Sequence, residues 1–415
     1  MNINMKNKIR DTLFFNMAIY LLYIIKRYIL NAYIKPLKLA YNIHCVSVDN
    51  KNINFFGYYN LSPENNNGDV IYLEVNDELI RGSKQEKSKI MLINDNKNYF
   101  SIINTTHSWN WQQGCMLKWL GNSDNHIIYN DFENNQYVSK IINKKGELIR
   151  KYSSAIYSVS KSGKFALTLS FERLAKLRPD YGYFNHKNVD LLPDNKDGIW
   201  YIDLESGEKH LIVTLEKLKN LKFVNSMVKA VHKVNHIDIN PSSTRFMFLH
   251  RWIGPNGRFM RLITADIDGS NLYILNGDKM TSHCCWINDE EIISFCNIDD
   301  EGNGYYKFRN NTNRVNFLSK KLPSVDGHPS ISPNGEWMIT DTYPDRARMS
   351  WLLLYNFKEN KVIKLGRFYQ PLRYKKEIRI DLHPKWSPDG KSIYFESGHS
   401  GKRQLNKMDL SNIIK

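Results

Sequence analysis

A chain of 415 residues with 42% hydrophobic and 13% aromatic side chains can bury a sizeable core, which excludes a disordered protein. A formal charge of +16 points to anionic partners, and without an RNA-binding or zinc-finger signature nucleic acid gives way to an anionic membrane surface or an acidic polysaccharide. The five cysteines (Cys45, Cys115, Cys284, Cys285 and Cys296) are odd in number, two are adjacent, and none forms a C-x-x-C pair; this excludes a disulfide framework and fits a reducing, cytoplasmic compartment.

Residues 1–45 read as a basic and apolar helical segment. The apolar run from Leu13 to Ile25 stops at Lys26-Arg27, short of the ~20 residues a spanning helix needs. Lys6, Lys8 and Arg10 precede it, but no small-x-small cleavage site follows. The expectation is an amphipathic helix over residues 12–34 lying peripherally on the inner membrane; a tilted signal anchor and a helix packed on the next domain are the alternatives.

From residue 46 to 415 the chain reads as one all-β domain. A polar turn followed by a strand recurs in "NLSPENNNGDVIYLEV" from Asn60, "WLGNSDNHIIYNDF" from Trp119, "SVSKSGKFALTLSF" from Ser158 and "DINPSSTRFMFLHRW" from Asp238. It continues in "WINDEEIISFCN" from Trp286, "SISPNGEWMITDTYP" from Ser330 and "KWSPDGKSIYFES" from Lys385. About seven copies spaced by roughly 40–60 residues predict a seven-bladed β-propeller, because a single blade cannot bury its own faces. Two smaller β domains are the competing architecture. "GIWYIDLESGEKHLI" and "LITADIDGSNLYIL" supply further strand–turn–strand units, so each blade is expected to hold four strands. The interval 172–235 is too long for one blade and contains helical patterning; it is read as a partly helical insertion on one face of the ring.

If the unit is a blade, the residue just ahead of each turn unit takes an equivalent place in the ring. His236 in "VNHIDINP", His283 in "TSHCCW", His328 in "DGHPSISP" and His383 in "DLHPKWSP" all stand there. Equivalent strand ends converge on a central channel, so four histidines distant in sequence are expected at one mouth, where imidazoles can hold a divalent metal or serve as bases. Asn, Ser or Thr would fill a merely structural slot equally well, which favours a site. Arg251 and Arg346 could clamp a carboxylate, or serve as blade-to-blade salt bridges. Trp109 could stack on a sugar ring, or pack between blades. Of the adjacent Tyr58 and Tyr59, on opposite faces of a strand, one can reach the channel; Tyr58 is taken as the substrate contact. No P-loop, H-E-x-x-H or G-x-S-x-G motif is present, and no βαβ unit.

The order "HIDINP", "FLHRW", "DIDGSN", "SHCCW", "GHPSISPNGEW" and "HPKWSPDGKSIYF" resembles the seven-bladed oligogalacturonate lyases and, more distantly, the TolB-type propellers, over roughly residues 50–410. "FFGYYNLSP", "WNWQQG", "FERLAKLRPDYGY" and "TDTYPD" also resemble an uncharacterised propeller group found among bacterial surface-polysaccharide genes. The lyases cleave acidic oligosaccharides by β-elimination with a divalent metal, typically manganese. The resemblance implies His236 as the base, with His283 and His383 as metal ligands. Where that family has a glutamine three residues before its matching histidine and a second histidine two after it, this chain has Ile380 and Lys385. Asp381 then stands in for a ligand and Lys385 for positive charge, with His328 completing the metal set and Arg251 assisting catalysis. Two functions are expected to compete: a uronate lyase, and a non-catalytic propeller that binds a glycan, a glycan intermediate or a partner during surface-polysaccharide synthesis. The sequence leaves the oligomeric state open.

Overall fold

The computed structural model describes residues 17–18, 21–22, 25, 42–47, 52–76, 86–94, 99–186, 190–277, 279–298 and 301–414. These form seven four-stranded antiparallel sheets arranged as a seven-bladed β-propeller. Blade 1 runs β2 (Ile53–Phe55) to β5 (Tyr99–Thr106), and blade 2 runs β6 (Lys118–Trp119) to β9 (Leu148–Tyr152). Blade 3 holds β10 (Ser158–Val159) to β13 (Lys209–Thr214), and blade 4 β14 (Val231–Ile239), β15 (Arg245–Gly254), β16 (Gly257–Asp266) and β17 (Tyr273–Asn276). Blades 5 and 6 span β18 (Thr281–Trp286) to β21 (Val315–Phe317) and β22 (Ser330–Ile331) to β25 (Lys361–Tyr369). Blade 7 takes β26 (Lys385–Trp386), β27 (Ser392–Ser397) and β28 (Gln404–Asp409) from the C-terminus, and its outermost strand β1 (Ile43–Cys45) from the other end of the chain. That strand pairs Ile43 with Met408 and closes the ring.

The repeated turn has a chemical basis. A side-chain oxygen at its first residue accepts from the backbone N–H five residues on: Ser160 from Phe165, Asn240 from Arg245, Ser332 from Trp337 and Ser387 from Ser392, at 2.9–3.2 Å. The fourth turn position is left-handed in every case, at Gly163, Ser243, Gly335 and Gly390. Glycine takes that conformation without steric cost. A second repeat joins the blades. Trp119, Trp286 and Trp386 each donate an indole N–H to a carbonyl of the preceding blade, at Pro63, Asp238 and Ser330.

The interval 172–235 is not one insertion. The outer strands of blade 3, β12 (Gly198–Asp203) and β13, divide it. Helix α1 (Phe171–Leu177), capped by the Ser170 side chain, and a short 3-10 turn at Phe184–His186 lie between the second and third strands of blade 3. Helix α2 (Leu215–Leu221), capped by Thr214, lies between blades 3 and 4. The expected helix over 12–34 falls mostly outside the described residues. Of it, Met17, Ala18, Leu21, Leu22 and Ile25 are helical and exposed. No helix among the described residues is long and apolar enough to cross a membrane.

Blade 4 contains a buried pair, with His232 Nδ1 2.9 Å from His250 Nε2. Burial pushes His232 down to about 4 and His250 well below the ordinary imidazole value. A lowered folded-state pKa means stabilisation that is complete above the unfolded value near ~6.5 and lost as pH falls through the folded value. The melting temperature is therefore expected to fall between pH ~6.5 and about 4, and less steeply in His232→Phe. Equal slopes for the two proteins would exclude this pair as the cause.

Candidate functional site

The four histidines come together. Ring centroids are 5.7 Å apart for His236 and His283, 3.9 Å for His283 and His328, and 4.3 Å for His328 and His383. Tyr58 closes the circle, 5.4 Å from His383 and 5.2 Å from His236, and all five side chains are buried. The backbone explains how strand residues reach the channel. His236 and His383 have left-handed φ of 55° and 44°, uncommon for a non-glycine residue and unfavourable by about 1–2 kcal/mol. The ladder also slips in register across His236 in β14 and across His283 in β18. Such bulges re-aim side chains beside functional sites.

Tyr58 arrives on the segment Phe56–Asn60, which leaves β2. At Gly57 the φ is 131°, and a Cβ would lie 2.7 Å from the Gln113 carbonyl oxygen, so only glycine fits. The segment is fixed by Glu396, which accepts the Phe56 and Gly57 N–H groups at 3.1 and 2.9 Å, and by Lys385, which donates to the Gly57 carbonyl at 2.8 Å. Tyr59 bonds both the N–H and the carbonyl of Cys284. The Tyr58 hydroxyl lies 2.5 Å from His236 Nδ1. Burial holds the phenol protonated, and burial together with the Arg251 charge holds His236 neutral.

The doubled Asp-x-His-Pro links consecutive blades. Asp326 reaches back to His283, with its carboxylate 3.1 Å from Nδ1. Asp381 lies close to both His328 and His383: ligand atoms of these three residues are all within 4.8 Å of one another. Asp341, in "TDTYPD", accepts the backbone N–H of both His328 and His383 and sits 2.8 Å from His328 Nδ1. Among the described residues, His328 Nε2, Asp381 Oδ1 and both ring nitrogens of His383 are left without a partner. Buried polar atoms without partners cost about 1–3 kcal/mol each. Two imidazole nitrogens and a carboxylate oxygen gathered this way suit a divalent cation. Burial lowers the His383 pKa far below the ordinary value; at His328 burial is outweighed by Asp341, and the pKa rises. His283, expected as a ligand, stands beside this trio with Nδ1 engaged by Asp326 rather than within it.

Other expected site residues have different employment. Lys385 is buried against Glu396 and Gly57, pushed down to about 8 by burial, and acts on His383 through its charge. Trp109 is a packing residue: its ring lies 5.9 Å from Phe55 and 5.0 Å from Trp111, and its indole N–H donates to the Glu86 carbonyl. Arg346 is exposed in the turn closed by Arg348 N–H and the Asp345 carbonyl, and no bond joins it to the histidines among the described residues. Arg251 is buried, and of all charged groups its field acts most strongly on His236. Residues that sequence reasoning missed include Tyr181, 5.3 Å from His236, and Tyr343, 5.8 Å from His328. Arg379 bonds Asp381 at 2.8 Å and Asp180 at 2.9 Å. Tyr181 and Asp180 come from the stretch after α1, where "RPDYGY" was their only signal.

No family model matches the chain, and no curated protein matches its sequence. Solved structures do match. The oligogalacturonate lyase of Vibrio parahaemolyticus is 15% identical, with 89% of this chain and 96% of that chain covered at a TM-score of 0.59. An oligogalacturonate lyase in complex with manganese is 14% identical, with 90% and 94% covered at a TM-score of 0.65. TolB from Acinetobacter baumannii is 13% identical, with 79% and 75% covered at a TM-score of 0.41. The chain is thus a seven-bladed propeller similar in architecture to oligogalacturonate lyase. At these identities the likeness shows the fold.

Proposed function

We propose that the histidine-ringed mouth carries out a metal-assisted β-elimination on a uronate-containing oligo- or polysaccharide. The observation that carries this reading is the buried set His328, Asp381 and His383, each with a ring nitrogen or carboxylate oxygen that has no partner among the described residues, beside the Tyr58–His236 pair. A divalent cation held by that set, manganese in the similar lyase, supplies positive charge to offset a uronate carboxylate. Elimination breaks the C–H bond α to the carboxylate and the C–O bond at the β carbon. The C–H electron pair becomes the new C=C bond, and the glycosidic oxygen leaves with its own pair and takes a proton from water. Neutral His236 accepts the α proton. Tyr58, itself protonated, accepts from the imidazole N–H and so leaves the other ring nitrogen free to take the proton, while the Arg251 charge helps keep the imidazole neutral beforehand. The test is to incubate manganese-loaded protein with oligogalacturonate and a panel of other uronate oligosaccharides. Ultraviolet absorbance from the conjugated product is expected. A metal-loaded protein silent across the panel would overturn the reading.

The exposed apolar helical face of Met17, Leu21, Leu22 and Ile25 supports a second reading, a glycan- or partner-binding propeller held peripherally at the inner membrane. Carbonate or high-salt washing is then expected to release the protein from membranes; retention through both treatments would overturn peripheral attachment.

A further inference from the structure

Beside the histidine ring, three cationic side chains gather, and among the described residues the one acid whose charge reaches Arg178 and Lys233, Asp180, is already paired with Arg379. Lys233 on β14 and Arg251 on β15 face each other directly across the ladder. Directly opposite residues of antiparallel strands share a face, and like charges there are destabilising. Both are buried, at 4% and 8% exposure. Burying a charge without a partner is among the more costly arrangements a fold can retain.

The bonding makes the imbalance plain. The Arg251 guanidinium has no ion pair or hydrogen bond among the described residues, and its Nε is shut off from solvent. Among the described residues Lys233 bonds only the Leu177 carbonyl, 3.1 Å away at the end of α1. Next in the chain comes half-buried Arg178, whose guanidinium lies over the Tyr181 ring, 5.0 Å from its centroid, with Nε also unpartnered. Asp180, the acid whose field reaches Arg178 and Lys233, is itself bound to Arg379. Burial and mutual repulsion push Lys233 down to about 7 and Arg251 to about 10, whereas at Arg178 burial is outweighed by Tyr181 and Asp180 and the pKa rises, so the uncompensated charge lies on Lys233 and Arg251. The cluster adjoins the site: Arg251 and Arg178 both act electrostatically on His236, and Lys233 is three residues from it on the same strand.

We propose that Arg178, Lys233 and Arg251 form an oxyanion subsite that takes a second acidic group of the substrate, so that the mouth reads two acidic substituents of one glycan. The subsite rests on the reading of the mouth as an acidic-glycan site. A planar guanidinium matches carboxylate, sulfate and phosphate alike, so the shared chemistry is an oxyanion with at least two acceptor oxygens. None of the trio belongs to the His328–Asp381–His383 set, so the two acidic groups would be recognised differently, one by a cation and the other by guanidinium and ammonium groups. It also gives the loop after α1 a task, since that loop carries Arg178 to the mouth.

The test is calorimetric titration of the full-length protein with sodium sulfate, sodium phosphate and sodium galacturonate, each at constant ionic strength. Saturable binding of at least one is expected, weakened tenfold or more in Arg251→Met and in Lys233→Met. Tighter binding of galacturonate would assign the group to a carboxylate; tighter binding of sulfate or phosphate would assign it to an ester. Without anion, each variant is expected to melt no lower than the parent, because a repulsion has been removed. Absence of saturable binding to the parent would overturn the proposal. So would equal binding by the variants, the result expected if anions sit only on a bound metal. Both readouts are independent of turnover. Anion binding without elimination would sink the reaction and leave the subsite, and elimination without anion binding would do the reverse.

Discussion

Replacing His236 with alanine is expected to slow elimination by about a hundredfold to ten-thousandfold, the range for a positioned general base. Metal content should not change, since His236 lies outside the trio that gathers the unpartnered ligand atoms. His383→Ala should behave differently, losing metal and activity together, because both of its buried ring nitrogens are free for a cation. Elemental analysis alongside initial rates separates the two effects. Should His236→Ala retain full activity, the base lies elsewhere, and Tyr58 would be the next residue to examine.

The largest expected effect on stability is at Glu396. It is wholly buried, paired with Arg403 and Lys385, and accepts the N–H groups of Phe56 and Gly57. Glu396→Leu leaves two buried cations and two backbone donors without their acceptor, which should cost about 3–5 kcal/mol in urea unfolding. Glu396→Gln keeps a carbonyl for the backbone donors and should lose less. Replacing Lys385, Glu396 and Arg403 together with apolar residues of similar volume should restore part of the loss, because the stranded charges go with the acid. If the triple variant is no better than Glu396→Leu, the loss comes from packing rather than stranded charge.

The histidine ring was legible because a repeat converts sequence register into spatial register: four residues at one place in four blades must meet wherever the blades meet. Alternation was the wrong reason for Tyr58: Phe56–Asn60 has already left β2, and both tyrosines pack on the ring, Tyr58 against His236 and His383 and Tyr59 against His283 and His328. The rest depended on geometry that composition does not carry. Trp109 and Arg346 have the right chemistry for a sugar or carboxylate, but blade curvature turns one into the packing between Phe55 and Trp111 and leaves the other on an exposed turn. Lys385 was expected to supply positive charge to the site; its ammonium is bonded to the Gly57 carbonyl and faces Glu396, and it acts on His383 through its field. Asp326 was visible beside His328 but serves His283, because blade-to-blade neighbours are not sequence neighbours. The stretch 172–235 was read as one insertion although "GIWYIDLESGEKHLI" inside it signals two strands; these are β12 and β13, and the two capped helices lie on either side of them. Lys233 had no signal at all, because a charged residue opposite another charged residue reads from sequence as a solvated hairpin.

The closing strand has a consequence for the order of events during synthesis. Blades 1 to 6 are each built from consecutive chain, so they can pair locally as they emerge. Blade 7 cannot be completed until its last strand meets β1, and Asn54 of the first blade waits for its bond to Gln404, 350 residues away. Contacts so distant in sequence require the whole loop to be closed before any interaction compensates for the lost entropy. The seam is thus the last part of the ring to form. The Tyr58 segment is held there by Glu396 and Lys385, so the histidine mouth is completed only when the ring shuts: an open, half-made propeller has the histidines but not the tyrosine that completes their circle.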